Sequence, residues 1–141
     1  MLRDDVFNQV KDAMRAKDQI KLAAVRYLWS EIKNAEIDAK VELNDEAIVS
    51  IVQKEVKKRK DAIEQMKQAG REVEEELVKL KFLEYFLPEQ MSREEIVHVV
   101  DEVYTDEVKD FGMLMGRVMA RVKGKAEGTL VQEVVKEKFR D

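Results

Sequence analysis

The residues able to do chemistry are few in kind. Cysteine is absent, which excludes disulfides, thiolate nucleophiles, zinc–thiolate sites and iron–sulfur clusters. The single histidine, His98, stands between Val97 and Val99. One imidazole makes no multi-ligand metal site unless folding brings carboxylates to it, so His98 reads as a packed or surface residue. The serines are Ser30, Ser50 and Ser92. None lies in the G-x-S-x-G turn that exposes a nucleophile beside its base, and Ser92 is explained as a helix cap. Carboxylates are plentiful, but they are scattered on helix faces opposite lysines, whereas general acid–base chemistry needs a pair in one cleft. Neither the phosphate loop G-x-x-x-x-G-K-[ST] nor G-x-G-x-x-G occurs. The residues assign no catalytic group, no metal site and no cofactor.

Two basic stretches remain. Lys54, Lys57, Lys58, Arg59 and Lys60 fall in one helical segment. Four consecutive cations spread through about 300° of a helix, which describes a solvated face interrupted by Asp61. Arg117, Arg121, Lys123 and Lys125 are the more concentrated group, with no acid between Phe111 and Ala126. Arg117 and Arg121 are i,i+4 neighbours, and the two lysines flank Gly124. Backbone amides and basic side chains around a glycine turn can hold a phosphate oxygen. The group Arg117, Arg121, Lys123, Gly124 and Lys125 is therefore either an anion-binding edge or an ordinary charged surface. It lacks interleaved aromatics, so base stacking is not indicated there. Residues 91–110 hold seven acids against two cations, so the C-terminal part is electrically polarised along its sequence. Gly112 and Gly116, spaced G-x-x-x-G, are expected to let another helix approach closely.

These residues must be positioned by helices, because apolar residues recur at helical spacing nearly throughout. The first stripe is Val6, Phe7, Val10, Ala13 and Met14, with a break at Ala16–Asp18. The second is Leu22, Val25, Leu28, Trp29, Ile32 and Ala35, and that helix runs to about Ala39. After a connector at Lys40–Leu43, Asn44 or Asp45 caps a long third helix that ends at Gly70. Glu72 and Glu74–Glu76 open a fourth helix, whose apolar surface reaches Leu87 and is broad enough for more than one neighbour. Pro88 ends it. Ser92 and Glu95 form a capping box for a fifth helix with a β-branched run. Asp110 caps a sixth, and Thr129 with Gln132 caps a seventh.

The expected fold is all-α and multihelical: an N-terminal helical domain, residues 1–88, and a small C-terminal three-helix domain, residues 92–141. With 30 acidic and 26 basic residues the net charge is −4, so bulk charge does not indicate a general polyanion binder. No apolar run approaches the ~20 residues of a membrane span, and the opening residues lead into an amphipathic helix rather than a signal peptide. The cytosol is the expected compartment.

Four stretches in order resemble one family. They are Ala16-Lys17-Asp18 with Val25-Arg26 and Ile32–Ile37; Lys58–Gln65 followed by Ala69-Gly70-Arg71; Glu84-Tyr85-Phe86-Leu87-Pro88-Glu89-Gln90-Met91-Ser92; and Met115–Met119 with Val122-Lys123-Gly124-Lys125-Ala126-Glu127-Gly128 and Val131. Together they span nearly the whole chain, and the last two are the most specific. The chain resembles the GatB/YqeY family, and in particular its freestanding YqeY-like members. The resemblance implies a two-part all-helical protein. It is similar to the tail of the B subunit of the glutamine-dependent aspartyl/glutamyl-tRNA amidotransferase, which is understood to contact transfer RNA, while the catalytic centres lie elsewhere in that enzyme. A carbon–nitrogen ligase assignment follows only by family association.

Three function classes compete. The first is a noncatalytic tRNA-binding or tRNA-associated helper using the Arg117–Lys125 group. The second is a protein-interaction adaptor, with partners in translation, using the helix at Leu77–Leu87 or the C-terminal bundle. The third, an enzyme of amide transfer, ranks last because nucleophile, phosphate loop and metal cluster are missing.

Overall fold

The computed structural model describes residues 1–140, and within them there are seven helices and no strand. These are α1 (Leu2–Ala16), α2 (Gln19–Ala39), α3 (Asp45–Gln68), α4 (Glu74–Glu84), α5 (Arg93–Val103), α6 (Phe111–Val122) and α7 (Gly128–Arg140). The fold is all-α.

The caps are the local cause of the boundaries. At the α1–α2 break Lys17 takes the left-handed conformation, and Asp18 accepts a hydrogen bond from the Lys21 amide at 3.1 Å. Asn44, not Asp45, caps α3, accepting from the Ala47 amide at 2.9 Å. Asp45 instead receives the Leu2 amide at 3.0 Å and ties the start of α1 to the start of α3. Gly70, at φ +74°, follows α3 in the left-handed region, where a Cβ is strained. The Ser92–Glu95 capping box is present in full, and it holds the β-branched run 96–103 as helix against its strand propensity. Asp110 caps α6 through the Met113 amide at 2.8 Å.

Two boundaries differ from expectation. α4 stops at Glu84, and the chain reaches Leu87 through a tighter turn in which Phe86 and Leu87 donate to the carbonyls of Leu83 and Glu84. The cause is Pro88, which disfavours helical backbone at the residue before it. α7 begins at Gly128, and its first bond runs from the Val131 amide to the Glu127 carbonyl at 3.1 Å. Thr129 thus lies inside the first turn and is not the cap.

The chain divides into two compact units, Met1–Leu87 and Pro88–Asp141. In the first, α4 packs on both α2 and α3, which is why its apolar surface is broad, and α1 packs on α2 and α3. Its core gathers Val6, Val10, Leu28, Ile32, Ile48, Val52, Leu83 and Phe86. In the second, α5, α6 and α7 each pack on the other two, around Ile96, Val100, Leu114, Val118, Val122, Val131 and Val135.

Candidate functional site

The Lys123–Lys125 turn joins α6 to α7, and its geometry is set by residues far away in sequence. Gly124 sits at φ +83°, a left-handed position that suits glycine. The Met91 amide donates to the Lys125 carbonyl at 2.8 Å, and the Gln90 side-chain amide donates to the Gly124 carbonyl at 3.2 Å and to the Pro88 carbonyl at 2.8 Å. The two most specific sequence stretches, Pro88–Met91 and Val122–Gly128, are therefore laced together inside the second unit. Ala126, 3% exposed, pins the far side of the turn to the core. Pro88, Glu89, Gln90, Met91, Glu95 and Lys125 line an open cleft of ≈ 390 Å³ beside it.

This rigid turn presents the side chains of Lys123 and Lys125 to solvent while Gly124 is buried. Among the described residues no carboxylate lies within ion-pair distance of Lys125. Two of the turn amides are already engaged: Lys123 donates to the Met119 carbonyl at 3.0 Å and Lys125 to the Val122 carbonyl at 2.8 Å. An anion held here would be held by ammonium groups, not by the backbone cradle that the glycine suggests.

The two arginines are placed differently. Arg117 is half-buried and reaches across to the α5–α6 connection, donating to the Val103 carbonyl at 3.2 Å, to Thr105 Oγ1 at 2.9 Å and to Glu107 Oε2 at 3.3 Å. It fastens a loop. Arg121 pairs with Glu102 at 2.8 Å, and the other oxygen of Glu102 lies 3.3 Å from Nε2 of exposed His98. The segregation of charge along the sequence is thus undone in space. α5 and its following loop set their acids against the two arginines of α6, and both lysines of the turn are exposed.

The expectation for Gly112 and Gly116 needs correction. Both are exposed, a Cβ at Gly116 would meet no atom within 4 Å, and one at Gly112 would meet only Asp110 Oδ1 at 3.5 Å. The packing stripe of α6 is Leu114, Val118 and Val122, and the G-x-x-x-G pair lies off it. No helix of this unit approaches there.

In the first unit the cation run of α3 is not simply solvated. Arg59 pairs with Glu76 at 2.6 Å and Lys60 with Glu84 at 3.9 Å, clamping α3 to α4. The Arg59 hydrogen bond holds the Glu76 carboxyl below its ordinary range. A more buried polar centre was missed in the sequence. Glu36, 6% exposed, accepts Arg3 Nε at 2.7 Å and Arg3 Nη2 at 2.9 Å, and also the Leu43 amide at 3.0 Å. The Arg3 hydrogen bond, helped by the Leu43 amide and opposed by burial, pulls Glu36 down to about 2. The Arg3 guanidinium lies 5.1 Å from the ring centroid of Trp29, which stacks on Phe7 at 5.0 Å. With Lys33 Nζ a further ion-pair partner at 3.6 Å, Glu36 is engaged by groups of its own unit and reads as a structural clasp. A charged residue at a core position of the α2 stripe, four after Ile32, was the available signal. Among the described residues no group of three or more His, Cys, Asp or Glu side chains is placed to hold a metal ion, and no helix is long and apolar enough to cross a membrane.

The chain is 33% identical over 138 residues to "Altered inheritance of mitochondria protein 41, mitochondrial" of Pyrenophora tritici-repentis, covering 89% of this chain and 76% of that protein. It is 37% identical over 103 residues to the protein of the same name from Kluyveromyces lactis, covering 69% of this chain and 55% of the relative. A shorter match, 40% identical over 60 residues, is to a subunit of the glutamyl-tRNA(Gln) amidotransferase of Aeropyrum pernix, covering 37% of this chain and 9% of that relative. The profile of the YqeY-like proteins matches residues 3–139, nearly the whole length, and the chain belongs to that family.

Proposed function

We propose that this chain is a noncatalytic, tRNA-associated helper module that works in the cytosol and contacts phosphates through the Lys123 and Lys125 side chains, with Arg121 beside them. The observation that carries the reading is the rigid, outward turn, whose lysines stand on a backbone locked by Met91 and Gln90. The locked backbone fixes where the two flexible lysine stems start, so no loop has to be ordered when they meet a phosphate. The match to part of a glutamyl-tRNA amidotransferase supports RNA as the phosphate source. Arg121 can exchange the exposed carboxylate of Glu102 for a phosphate oxygen at small cost, since an exposed pair of this kind contributes about 0–1 kcal/mol. A carbon–nitrogen ligase role follows only from that family association.

The test is binding of the full chain to total tRNA across a salt series. Expected is saturable binding that weakens steeply with salt, and about tenfold weaker binding for Lys123→Glu/Lys125→Glu, with the further addition of Arg121→Glu weaker still. Absence of binding at low salt rejects the reading.

A second reading, a protein-interaction adaptor, is favoured by one feature: the bare face of α6, where Gly112 and Gly116 lie exposed beside Met113, itself 39% exposed. Capture of a protein partner that survives nuclease and moderate salt, and is lost in Gly116→Leu, selects it.

A further inference from the structure

The first unit holds a cleft whose lining differs from every other charged surface of this chain described above. It measures ≈ 360 Å³ and is lined by Gln9 of α1, Lys21 and Val25 of α2, Lys81 and Phe82 of α4, and Tyr85 and Phe86 of the turn after α4. Its apolar floor is Val25 and Phe86, 1% and 4% exposed. Tyr85 is 70% exposed and stands edge-on to Phe86, with ring centroids 5.3 Å apart at 86°. Tyr85 is thereby held against Phe86 while most of its surface stays open to solvent.

The electrostatics are one-sided. Two lysines line the cleft and no carboxylate does. The Lys21 ammonium lies 5.7 Å from the centroid of the Phe82 ring. Among the described residues neither Lys21 nor Lys81 has a carboxylate within ion-pair distance. Two unneutralised ammonium groups at the rim of an apolar, aromatic-walled hollow suit a ligand with a flat ring and a negative charge. The volume falls in the range of small-molecule sites, roughly 300–1,000 Å³.

We propose that this cleft binds a nucleotide: a base stacked against Tyr85 and Phe82, its phosphate held by Lys21 and Lys81, and the Gln9 amide available to a polar base edge. Aromatic faces accept any base, since every base has a π-face, and lysines recognise phosphate as point charges. The ligand is a free mononucleotide or one unstacked nucleotide of a single-stranded RNA; both carry the same chemistry. The site is in the other unit from the Lys123–Lys125 turn and does not rest on the tRNA reading.

The experiment is amide-resolved NMR titration of the full chain with AMP, adenosine, inorganic phosphate, octanoate and a hexaadenylate RNA. AMP is expected to move the resonances of Gln9, Lys21, Phe82 and Tyr85, with adenosine and phosphate at least fivefold weaker, because each supplies half of the recognition. Tyr85→Ala and Lys21→Gln/Lys81→Gln are each expected to weaken AMP at least fivefold. Tyr85 and Lys81 are exposed, and the folded spectrum of each variant is the control. Lys123→Glu/Lys125→Glu leaves AMP binding unchanged, which separates this site from the tRNA edge. If the RNA moves the same residues more tightly than AMP, the ligand is a nucleotide of RNA; if AMP binds more tightly, it is the free nucleotide. The proposal is overturned if neither moves them, or if octanoate moves them as strongly as AMP.

Discussion

Two arginine–glutamate arrangements, one in each unit, show how burial changes what the same pair of residues can do. Arg3 and Glu36 form a bidentate pair in which the carboxylate is 6% exposed and also receives the Leu43 amide. Arg121 and Glu102 meet at 2.8 Å with side chains 51% and 44% exposed. In the first pair the carboxylate is engaged by Arg3, Lys33 and the Leu43 amide, and losing Arg3 leaves a buried charge without its main partner. In the second, water or a phosphate can replace either partner. The first pair is architecture; the second is a surface that can exchange ligands. Arg117 lies between the two: partly buried, bound to a carbonyl and a hydroxyl, with an exposed glutamate as its third contact.

The sharpest way to break this contrast is Glu36→Ala. It removes the acceptor for Arg3 and Leu43, and a loss of roughly 3 kcal/mol is expected from denaturant unfolding, against less than about 1 kcal/mol for Glu102→Ala. Equal losses would mean that burial does not distinguish the pairs. The same clasp gives a pH signature. Glu36 has a folded value of about 2 against an ordinary 4.5. A depressed carboxylate stabilises the fold above its unfolded value, and that contribution disappears as pH falls through the folded value. The stability difference between wild type and Glu36→Gln should be constant above about pH 5 and shrink as pH falls from 4.5 to about 2. A difference independent of pH across that window would remove the ionised clasp from the account.

A smaller effect separates Arg117 from Lys125. Arg117→Ala is expected to lower stability by about 1 kcal/mol, the usual loss for a side-chain hydrogen bond to backbone, and to loosen the α5–α6 loop in hydrogen exchange. Lys125→Ala should leave stability unchanged and weaken tRNA binding. If the two exchange roles, the division between fastening and contacting residues is wrong. The smallest expected change is Gly116→Ala. Nothing lies within 4 Å of the new Cβ, so exposed helix propensity alone applies and stability should rise by about 0.5–1 kcal/mol. A loss of stability would restore a packing role for this glycine.

Helix by helix, much of the architecture was legible in local sequence. Asn44, Ser92 with Glu95, and Asp110 are caps whose hydrogen bonds close within three residues, so their effect needs no distant partner; Asp18, read only as part of a break, caps α2 in the same way. The buried positions of α2, α3 and α6 follow the 3.6 period because one stripe faces one core. The start of the seventh helix differs from its sequence signal because Thr129 has the chemistry of a cap without its backbone position. The basic group was legible as composition, but its division into a fastening Arg117 and an exposed Arg121, Lys123 and Lys125 was not.

What tertiary structure alone decided is every relation between residues more than one turn apart. The Glu36 clasp joins α1, α2 and the connector after it, the Pro88–Met91 stretch locks a turn 34 residues later through Gln90, and α5 lays its acids on α6. Gly112 and Gly116 make the point in reverse. A G-x-x-x-G spacing states that a helix can be approached closely, but only the placement of neighbouring helices determines whether it is, and here the face is left open. Local hydrogen bonds and periodicity depend on a few φ/ψ choices that neighbouring residue types control. Ion pairing, clefts and close approach depend on which faces the cores bring together, and no short stretch of sequence contains that information.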